Sequence, residues 1–238
     1  MRKRRIFGIL FLLATIFIAV FINEDFSENP ILDQNPNQSQ ISSEDQTQNT
    51  DENLPKALEK LSEIPIKGRA PKTGYSRDQF GNGWGEINGC DTRNVILFRD
   101  LTDKTMKDNC LVATGILQDP YTGKTIQFSR ADNASAVQID HIVPLSDAWQ
   151  KGAQYWEKDK RKQFANDPLN LLASDGPANM QKSDSDAANW LPSNKSFRCY
   201  YIARQITIKL KYDLWNTEAE TAAMQKVLEK CPDQRVLE

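Results

Sequence analysis

The sequence has little histidine and no closely spaced cysteine pair, and both shortages narrow the possible chemistry. His141 is the only histidine among 238 residues, which excludes a zinc site built from three histidines. The four cysteines include no C-x-x-C pair, which argues against a zinc ribbon or a thioredoxin-like redox motif. No G-x-S-x-G segment is present, so nothing indicates the serine nucleophile of an α/β-hydrolase.

The N-terminal stretch lacks charge over a long apolar run. Residues 6–22 carry no charged side chain and follow four cations among the first five residues, which is typical of an export signal. This run of 17 residues is at the lower limit for a membrane span, and no clean small-x-small cleavage site follows it. Residues 1–23 are therefore predicted to be a cleaved signal peptide or a retained membrane anchor. In both cases the rest of the chain lies outside the cytoplasm.

The stretch that follows the apolar run has no positively charged residue. Residues 24–53 hold eight acids and no Lys or Arg, and Asn, Gln and Ser fill much of the remainder. These residues have almost no apolar surface to bury, so we predict a disordered acidic tether. Residues 54–238 hold 26 Lys and Arg against 24 Asp and Glu, and their length suits one domain. This near-neutral balance argues against a strongly electrostatic nucleic-acid binder but allows a local basic patch.

Short apolar runs alternate with helical patterns after residue 54, which predicts an α+β fold. The segment "CLVATGILQDPYTGKTIQFSR" places two apolar runs around turn residues and predicts a β-hairpin. The segment "AVQIDHIVP" predicts a strand that ends near Pro144, "LNLLAS" predicts a short strand or turn, and "VILFRDL" fits a strand or a helix start. Helices are predicted over 54–64, over "LSDAWQKGAQYWEKDKRKQFAND", after "DGP", and over 197–214 and 217–231.

The four cysteines fit an oxidising compartment. An exported protein with four well-spread cysteines most simply forms two disulfides, for which three pairings exist. We favour Cys90–Cys110 and Cys199–Cys231, because each pair closes a local loop. Four free buried thiols are the alternative.

His141 directly follows a carboxylate, Asp140. Imidazole titrates nearest neutral pH, so the ring could serve as a general base or acid, whereas a structural or exposed histidine is the alternative. Neighbouring strand residues point to opposite faces, so the pair can serve one site only where the strand ends or bends. Downstream, Asn170 and Asn179 stand nine residues apart and Lys182 follows, which places polar groups on a short strand and a helix.

The segments "DHIVP" and "DPLNLLASDGPANMQKSD" together resemble the HNH endonuclease motif, in the variant whose ligands are Asp and Asn. The chain from "GRAPKTGYSRDQFG" through "GCDTRN" to "NWLP" and "RCYYIARQITIK" looks like exported HNH proteins of Gram-positive bacteria with a DUF1524-type domain. The resemblance covers roughly residues 66–231. It implies a ββα-metal core with flanking helices and a β-hairpin, stapled by disulfides, in one nuclease domain over 54–238.

The resemblance also implies a role for each matched position. Asp140 and Asn179 would bind one divalent cation. His141 would take a proton from the attacking water, and Asn170 would orient the imidazole through its backbone carbonyl. Lys182 would approach a phosphate, and the products would carry 5′-phosphate and 3′-hydroxyl ends.

A carboxylate and an amide oxygen are hard ligands, which favours Mg²⁺ or Mn²⁺ over Ca²⁺ or Zn²⁺. The chain departs here from the histidine-rich HNH pattern, because Asn179 stands where many members have a histidine. Arg93, Arg198 and Arg204 are weaker candidates for contacts to nucleic acid, with ordinary hydrogen-bonding roles as the alternative. The five tryptophans are predicted to be core residues rather than platforms for stacked bases.

The predicted function is exported, metal-dependent hydrolysis of nucleic acid phosphodiesters with low sequence specificity, because no helix-turn-helix or zinc-finger reader is evident. DNA is the first candidate substrate and RNA the alternative. The membrane is a partner if the N-terminal segment is retained, and no protein partner is evident. Two other functions stay open: a phosphodiesterase for another exported ester, and a cell-surface binding module that keeps the finger without turnover.

Overall fold

A computed structural model describes residues 53–237, which form an α+β fold with seven α-helices and seven short strands. The predictions for residues 1–23 and for all but the end of the 24–53 tether lie outside the described residues. The helices are α1 Ala57–Leu61, α2 Thr92–Asp100, α3 Leu145–Gln150, α4 Lys158–Asn166, α5 Gly176–Lys182, α6 Arg198–Lys211 and α7 Glu218–Leu228. The strands are β1 Glu86–Ile87, β2 Cys90–Asp91, β3 Thr102–Met106, β4 Val112–Gln118, β5 Thr125–Ser129, β6 Val137–His141 and β7 Leu171–Asp175. No helix within residues 53–237 is long and apolar enough to cross a membrane.

The strands form three small antiparallel sheets among the described residues, ordered β1-β2, β3-β4-β5 and β6-β7. The predicted hairpin is confirmed as β4 and β5. Strand β3 was not predicted, because its residues are polar and mostly exposed and so lack the apolar alternation of a half-buried strand. The segment "VILFRDL", which fitted either element, is part of helix α2, whose first turn is capped by Asp91.

Strands β6 and β7 and helix α5 form a strand–strand–helix arrangement, called here the ββα unit. In β7 all five residues are buried, which explains the continuous apolar run "LLA" at its start. Asp175 ends the strand and caps α5 by accepting a hydrogen bond from the Ala178 N–H (3.1 Å). Gly176 is required at this turn, because a Cβ there would collide with the carbonyl of Ser135.

The ββα unit lies between two apolar clusters and therefore faces a core on each side. Leu172 and Ala178 belong to a cluster that helices α1, α6 and α7 share. Ile139, Leu171 and Ala173 belong to a second cluster, formed with α2 and β4. Neighbouring strand residues thus supply opposite cores, as the period of two requires. Full burial stabilises each large apolar side chain by roughly 1.5–3 kcal/mol, so the unit is held firmly from both faces.

Both favoured disulfides are confirmed, and the alternative of free thiols is wrong. Cys90 and Cys110 join β2 to the turn between β3 and β4, with 5.3 Å between their Cα atoms. Cys199 and Cys231 join the start of α6 to the residues after α7, with a Cα separation of 6.4 Å. The second bridge therefore staples the predicted helix pair.

The prediction of one continuous helix after Pro144 is wrong. The segment contains two helices, α3 and α4, separated by a short 3-10 turn at Ala153–Tyr155. Gly152 precedes that turn with a φ of 134°, a conformation outside the helical region. Trp149 and Trp156 therefore do not share one helix face, although their heptad spacing suggested that they would.

Candidate active site

Asp140 and His141 are the last two residues of β6, and both line a cavity of about 470 Å³ together with Asn179. Asp140 and His141 are only 5% and 7% exposed, so the cavity wall holds them nearly out of solvent. Because the strand ends at His141, its alternation of faces ends there, and both side chains reach one cavity. The structure thus brings together the three residues that the sequence nominated as base and metal ligands.

The imidazole of His141 is held by a backbone carbonyl. Its Nε2 lies 2.8 Å from the carbonyl oxygen of Ala165, at the end of α4. A carbonyl only accepts hydrogen bonds, so Nε2 carries the proton and Nδ1 keeps a free lone pair. Burial of the ring, with the nearby charges of Arg77 and Lys182, lowers the pKa of His141 to about 3. The ring is therefore neutral at physiological pH, with Nδ1 unprotonated.

The carboxylate of Asp140 has two buried partners. It accepts a hydrogen bond from the Tyr121 hydroxyl (2.5 Å) and forms an ion pair with Lys182 Nζ (2.9 Å). Burial raises the pKa of Asp140, while the Lys182 charge and the Tyr121 hydroxyl act in the opposite direction. The carboxylate is therefore oriented by Tyr121 and partly neutralised by Lys182.

Lys182 does not stand at a surface open to a phosphate, as the resemblance implied. Its side chain is fully buried, and its ammonium group also donates to the backbone carbonyl of His141 (2.8 Å). A buried ammonium group needs a counter-charge and acceptors, and Asp140 and this carbonyl supply them. The structure therefore gives Lys182 the role of orienting Asp140 from below the cavity.

The side chain of Asn179 is fixed by a neighbour from β6. Its Nδ2 donates to Gln138 Oε1 (2.8 Å), and both residues line the 470 Å³ cavity. Within residues 53–237 no hydrogen bond reaches Asn179 Oδ1, so this oxygen is the atom that can bind a ligand. No sequence pattern connected Gln138 with this role.

Asn170 contacts the chain that leaves β6 rather than the imidazole. Its Oδ1 accepts from the Val143 N–H (2.9 Å), and its backbone carbonyl accepts from the Ile142 N–H (2.8 Å). The expected orientation of His141 by the Asn170 carbonyl is therefore corrected, since the carbonyl of Ala165 makes that contact. Asn170 lies opposite residues 142–143, so its polar atoms satisfy their buried backbone groups.

Arg204 makes its hydrogen bonds within the protein and does not line either cavity that contains His141. It is 4% exposed and donates to the carbonyls of Pro168, Leu169 and Leu171. These carbonyls belong to the turn that precedes β7. The guanidinium group therefore supports the entry to β7 through its Nε and Nη2 donors.

Arg93 and Arg198 are also committed to backbone carbonyls. Arg93 donates to Ala134 (3.4 Å) and Val137 (3.3 Å), and Arg198 donates to Pro192 (2.7 Å). Burial and the nearby charge of Arg130 lower the pKa of Arg93, as expected for a guanidinium group without a carboxylate contact. Neither residue lines the cavity that contains His141.

Sequence reasoning missed two residues beside the imidazole. Arg77 is exposed and lines both the 470 Å³ cavity and a smaller one of about 130 Å³ that also contains His141. Within residues 53–237 its side chain makes no ion pair or hydrogen bond. Trp84 stacks on the imidazole, with ring centroids 6.0 Å apart and ring planes 12° from parallel. The available signal was the "GYSRDQFGNGWG" stretch, whose residues are distant in sequence from His141.

The donor set suits a lightly ligated hard cation. Among residues 53–237, no group of three or more His, Cys, Asp or Glu side chains is placed to hold a metal. The cavity is instead lined by two carboxylates, Asp140 and Asp184, and two amides, Asn179 and Gln138. Asp184 pairs with Lys72 and Gln138 Oε1 accepts from Asn179, so Asp140 and Asn179 Oδ1 are the candidate ligands. Mg²⁺ commonly binds through one or two protein oxygens and completes its shell with water and substrate phosphate. The residues present fit such a cation and do not fit a closed tetrahedral zinc site.

The fold and the site define an α+β domain with a polar cavity built on a ββα unit. A family model described as "GmrSD restriction endonucleases, C-terminal domain" matches residues 91–227, which is more than half of the chain. The chain therefore belongs to this nuclease-related family. The match includes Asp140, His141 and Asn179, whereas Arg77 and Trp84 precede it.

A curated relative extends the likeness beyond the family match. The chain is 38% identical over 174 residues to a protein of Arthroderma benhamiae (strain ATCC MYA-4681 / CBS 112371) named "Uncharacterized secreted protein". The alignment covers 72% of this chain and 82% of that protein. No solved structure matches the chain.

Proposed function

We propose that the chain is an exported, metal-dependent nuclease that hydrolyses phosphodiester bonds with low sequence specificity. One observation carries this proposal: Asp140, His141 and Asn179 meet in one cavity, and the neutral imidazole keeps Nδ1 free to accept a proton. Membership of a family of restriction endonuclease domains supports the same reaction class. The HNH assignment, inferred from the sequence, agrees with the ββα arrangement of these residues.

In the proposed reaction His141 acts as the general base. Its Nδ1 accepts a proton from water, and the water oxygen attacks the phosphorus atom. The P–O3′ bond breaks, its electron pair goes to the 3′ oxygen, and that oxygen takes a proton from solvent. The products are a 5′-phosphate and a 3′-hydroxyl, and His141 then returns its proton to solvent. The Nε2–H bond to Ala165 stabilises the imidazolium while it exists.

Asp140 and Asn179 would hold one divalent cation, Mg²⁺ or Mn²⁺ in preference to Ca²⁺ or Zn²⁺. Such a cation stabilises negative charge on the scissile phosphate and the leaving oxygen. Lys182 already neutralises part of the Asp140 charge, so we expect the free protein to bind the cation weakly. A substrate phosphate would supply the missing negative charge, which predicts tighter binding in the ternary complex.

Arg77 is the proposed phosphate-binding cation. The nominated cations Arg93, Arg198, Arg204 and Lys182 all donate to groups within the protein, as their hydrogen bonds show. Arg77 is exposed at the cavity that holds the base and the ligands. A guanidinium group can bind two phosphate oxygens at once, which would orient the scissile group toward His141.

The proposed substrate is DNA, with RNA as the alternative. The two disulfides support export, and the secreted relative supports the same compartment. The N-terminal 1–23 segment would act as signal peptide or as anchor, and in the second case the membrane is a partner. The likeness to exported proteins of Gram-positive bacteria stays a prediction, as does the division into segment, tether and nuclease domain.

A second candidate function is a cell-surface binding module without turnover. The Asp140–Lys182 ion pair favours it, because a carboxylate that is already paired needs no metal to balance its charge. The free Nδ1 of His141 and the free Oδ1 of Asn179 favour the nuclease instead. A cleavage assay separates the two candidates.

The test is nicking of a supercoiled plasmid by the full chain with both disulfides intact. The reaction is run with Mg²⁺, with Mn²⁺ and with EDTA, and an RNA substrate is tested in parallel. Asn179→Ala should raise the metal concentration needed for half-maximal nicking, whereas the exposed control Asn109→Ala should not. Absence of DNA and RNA cleavage under every metal, from a folded and oxidised sample, would refute the nuclease and leave the binding module.

A further inference from the structure

We propose that Trp84 is a positioning residue that fixes the plane of the His141 ring, an inference that rests on the proposed nuclease function. The indole and the imidazole lie nearly parallel, 12° apart, with a centroid separation of 6.0 Å. Both rings line the 130 Å³ cavity, so the stack forms part of the site's wall. The indole is parallel to the imidazole and offset from it, beside the ring that must receive the proton.

One hydrogen bond alone does not define an imidazole's orientation. The contact from Nε2 to the Ala165 carbonyl fixes one edge of the ring, but it allows the ring to turn about that bond. Such a turn would swing Nδ1 away from the attacking water. A flat neighbour that lies parallel to the imidazole restricts this rotation, and a misplacement of about 1 Å can lower a catalysed rate about 10²-fold.

Trp84 is itself held by the helix that holds His141. The Gly85 N–H donates to Asn166 Oδ1 (2.6 Å), and Asn166 directly follows Ala165 at the end of α4. The Gly85 carbonyl accepts from the Thr92 N–H (2.8 Å) at the start of α2. The end of α4 therefore sets both the edge of the imidazole and, through Gly85, the face presented by Trp84.

The backbone before Trp84 depends on glycine. Gly81 and Gly83 have φ values of 106° and 80°, which residues with a Cβ rarely adopt. These two positions turn the chain so that Trp84 meets His141 while its indole still packs against the apolar cluster of α2 and β4. A tryptophan used only for packing would not need to lie parallel to the imidazole.

Two substitutions at Trp84 distinguish the effect of a flat aromatic ring from the effect of side-chain volume. Trp84→Leu keeps an apolar side chain but removes the flat surface, and Trp84→Phe keeps a flat ring. Trp215→Leu is the matched control, because Trp215 is also half-buried but lies outside both cavities that His141 lines. All variants are made in the full chain with both disulfides formed.

Two readouts are measured on each variant. The first is the ¹H–¹⁵N spectrum of the imidazole, which is unambiguous because the chain has one histidine. The wild-type and Trp84→Phe proteins should show a protected Nε2–H signal, and Trp84→Leu should lose it to exchange. The second readout is cleavage kinetics: Trp84→Leu should lower kcat about 10- to 100-fold with KM changed less than about threefold. Trp84→Phe should recover most of kcat.

Each outcome decides the proposal. A wild-type imidazole spectrum in Trp84→Leu overturns it, as does a kcat for Trp84→Phe as low as that for Trp84→Leu. An equal loss in Trp215→Leu also overturns it, because the effect would then reflect general destabilisation. If the wild type cleaves nothing, the nuclease proposal fails, but the imidazole spectra alone still decide whether Trp84 positions the ring.

Discussion

Two of the places where residues 53–237 bury charge behave differently. One is a network centred on Lys151, whose ammonium group lies 2.7 Å from Asp147, 2.9 Å from Asp186 and 2.6 Å from Glu220. Burial alone would lower the pKa of Lys151, but the three carboxylates raise it above its usual value. Two further cations, Arg69 and Lys209, complete this set, called here the charge network.

The other place is the candidate active site, where Asp140 pairs with Lys182 and accepts from Tyr121. The charge network joins α3, the segment after α5, α6 and α7, and its charges face one another. The Asp140 pair instead lies beside a cavity that also holds His141 and Asn179. The comparison teaches that burial of charge alone does not mark a site. A candidate catalytic site differs from a structural ion-pair network because it also holds polar atoms without a protein partner among residues 53–237, such as Nδ1 of His141.

The largest effect is expected from Asp140→Asn, because Asp140 is both the counter-ion of Lys182 and a proposed metal ligand. Removing its charge leaves Lys182 buried without a counter-ion, which costs about 3–5 kcal/mol of unfolding free energy. It also removes a proposed metal ligand, so cleavage should fall below detection. Urea unfolding and plasmid nicking measure the two effects. A variant with normal stability would contradict the role of the ion pair, and normal nicking would contradict the ligand role.

Lys151→Met tests whether the charge network contributes to stability alone or also to nicking. It leaves Asp147, Asp186 and Glu220 without their shared cation, and breaking a buried pair costs about 3–5 kcal/mol. Nicking per folded molecule, measured well below the unfolding midpoint, should match the wild type. The control is Lys160→Met, which breaks an exposed pair and should change stability by about 0–1 kcal/mol. A selective loss of nicking in Lys151→Met would show that the network takes part in catalysis.

Acid should weaken the charge network through Asp186. Burial opposes ionisation of this carboxyl, yet Lys151, Asn189 and Arg69 lower its pKa to about 2. Because the folded pKa lies below the unfolded value of about 3.9, ionised Asp186 stabilises the fold above that value. This stability, about 2–3 kcal/mol, is lost as pH falls from about 4 to 2. Urea midpoints across this range should fall more steeply for the wild type than for Asp186→Asn, and equal slopes would refute the assignment.

The smallest expected effect is that of Arg77→Ala. Loss of one phosphate contact should raise KM about tenfold, which corresponds to about 1.4 kcal/mol, and should flatten the dependence of nicking on salt. Stability should not change, because Arg77 is exposed and has no partner within residues 53–237. The control is Lys230→Ala, which removes an exposed charge from the end region of α7. An unchanged KM and salt dependence would assign the phosphate to another residue.

Much of the ββα unit could be predicted from the sequence, because local signals specify it. The β-branched run before His141, the apolar "LLA" run and the Pro after Gly176 each encode one element. The two disulfides followed from loop length and compartment. The resemblance to HNH endonucleases nominated Asp140, His141 and Asn179, and the fold does bring them to one cavity.

The partners of these residues could not be predicted, for a physical reason. The carbonyl that holds His141 belongs to Ala165, and a backbone carbonyl has no side-chain signature in the sequence. Tyr121 and Trp84 reach the site from distant segments, so only tertiary packing places them. Lys182 was predicted to be a surface cation, because the residues next to it in the sequence do not reveal that Asp140 packs against the end of α5.

The most direct test is the initial nicking rate of His141→Ala in Mg²⁺, relative to the wild type and normalised to folded protein. The proposed base contributes typically 10²–10⁴-fold, so the rate should fall by about that factor. The charge network does not contact His141, so the unfolding free energy should fall far less than in Lys151→Met. A wild-type rate in His141→Ala would contradict the account, because the imidazole would then not be the group that accepts the proton.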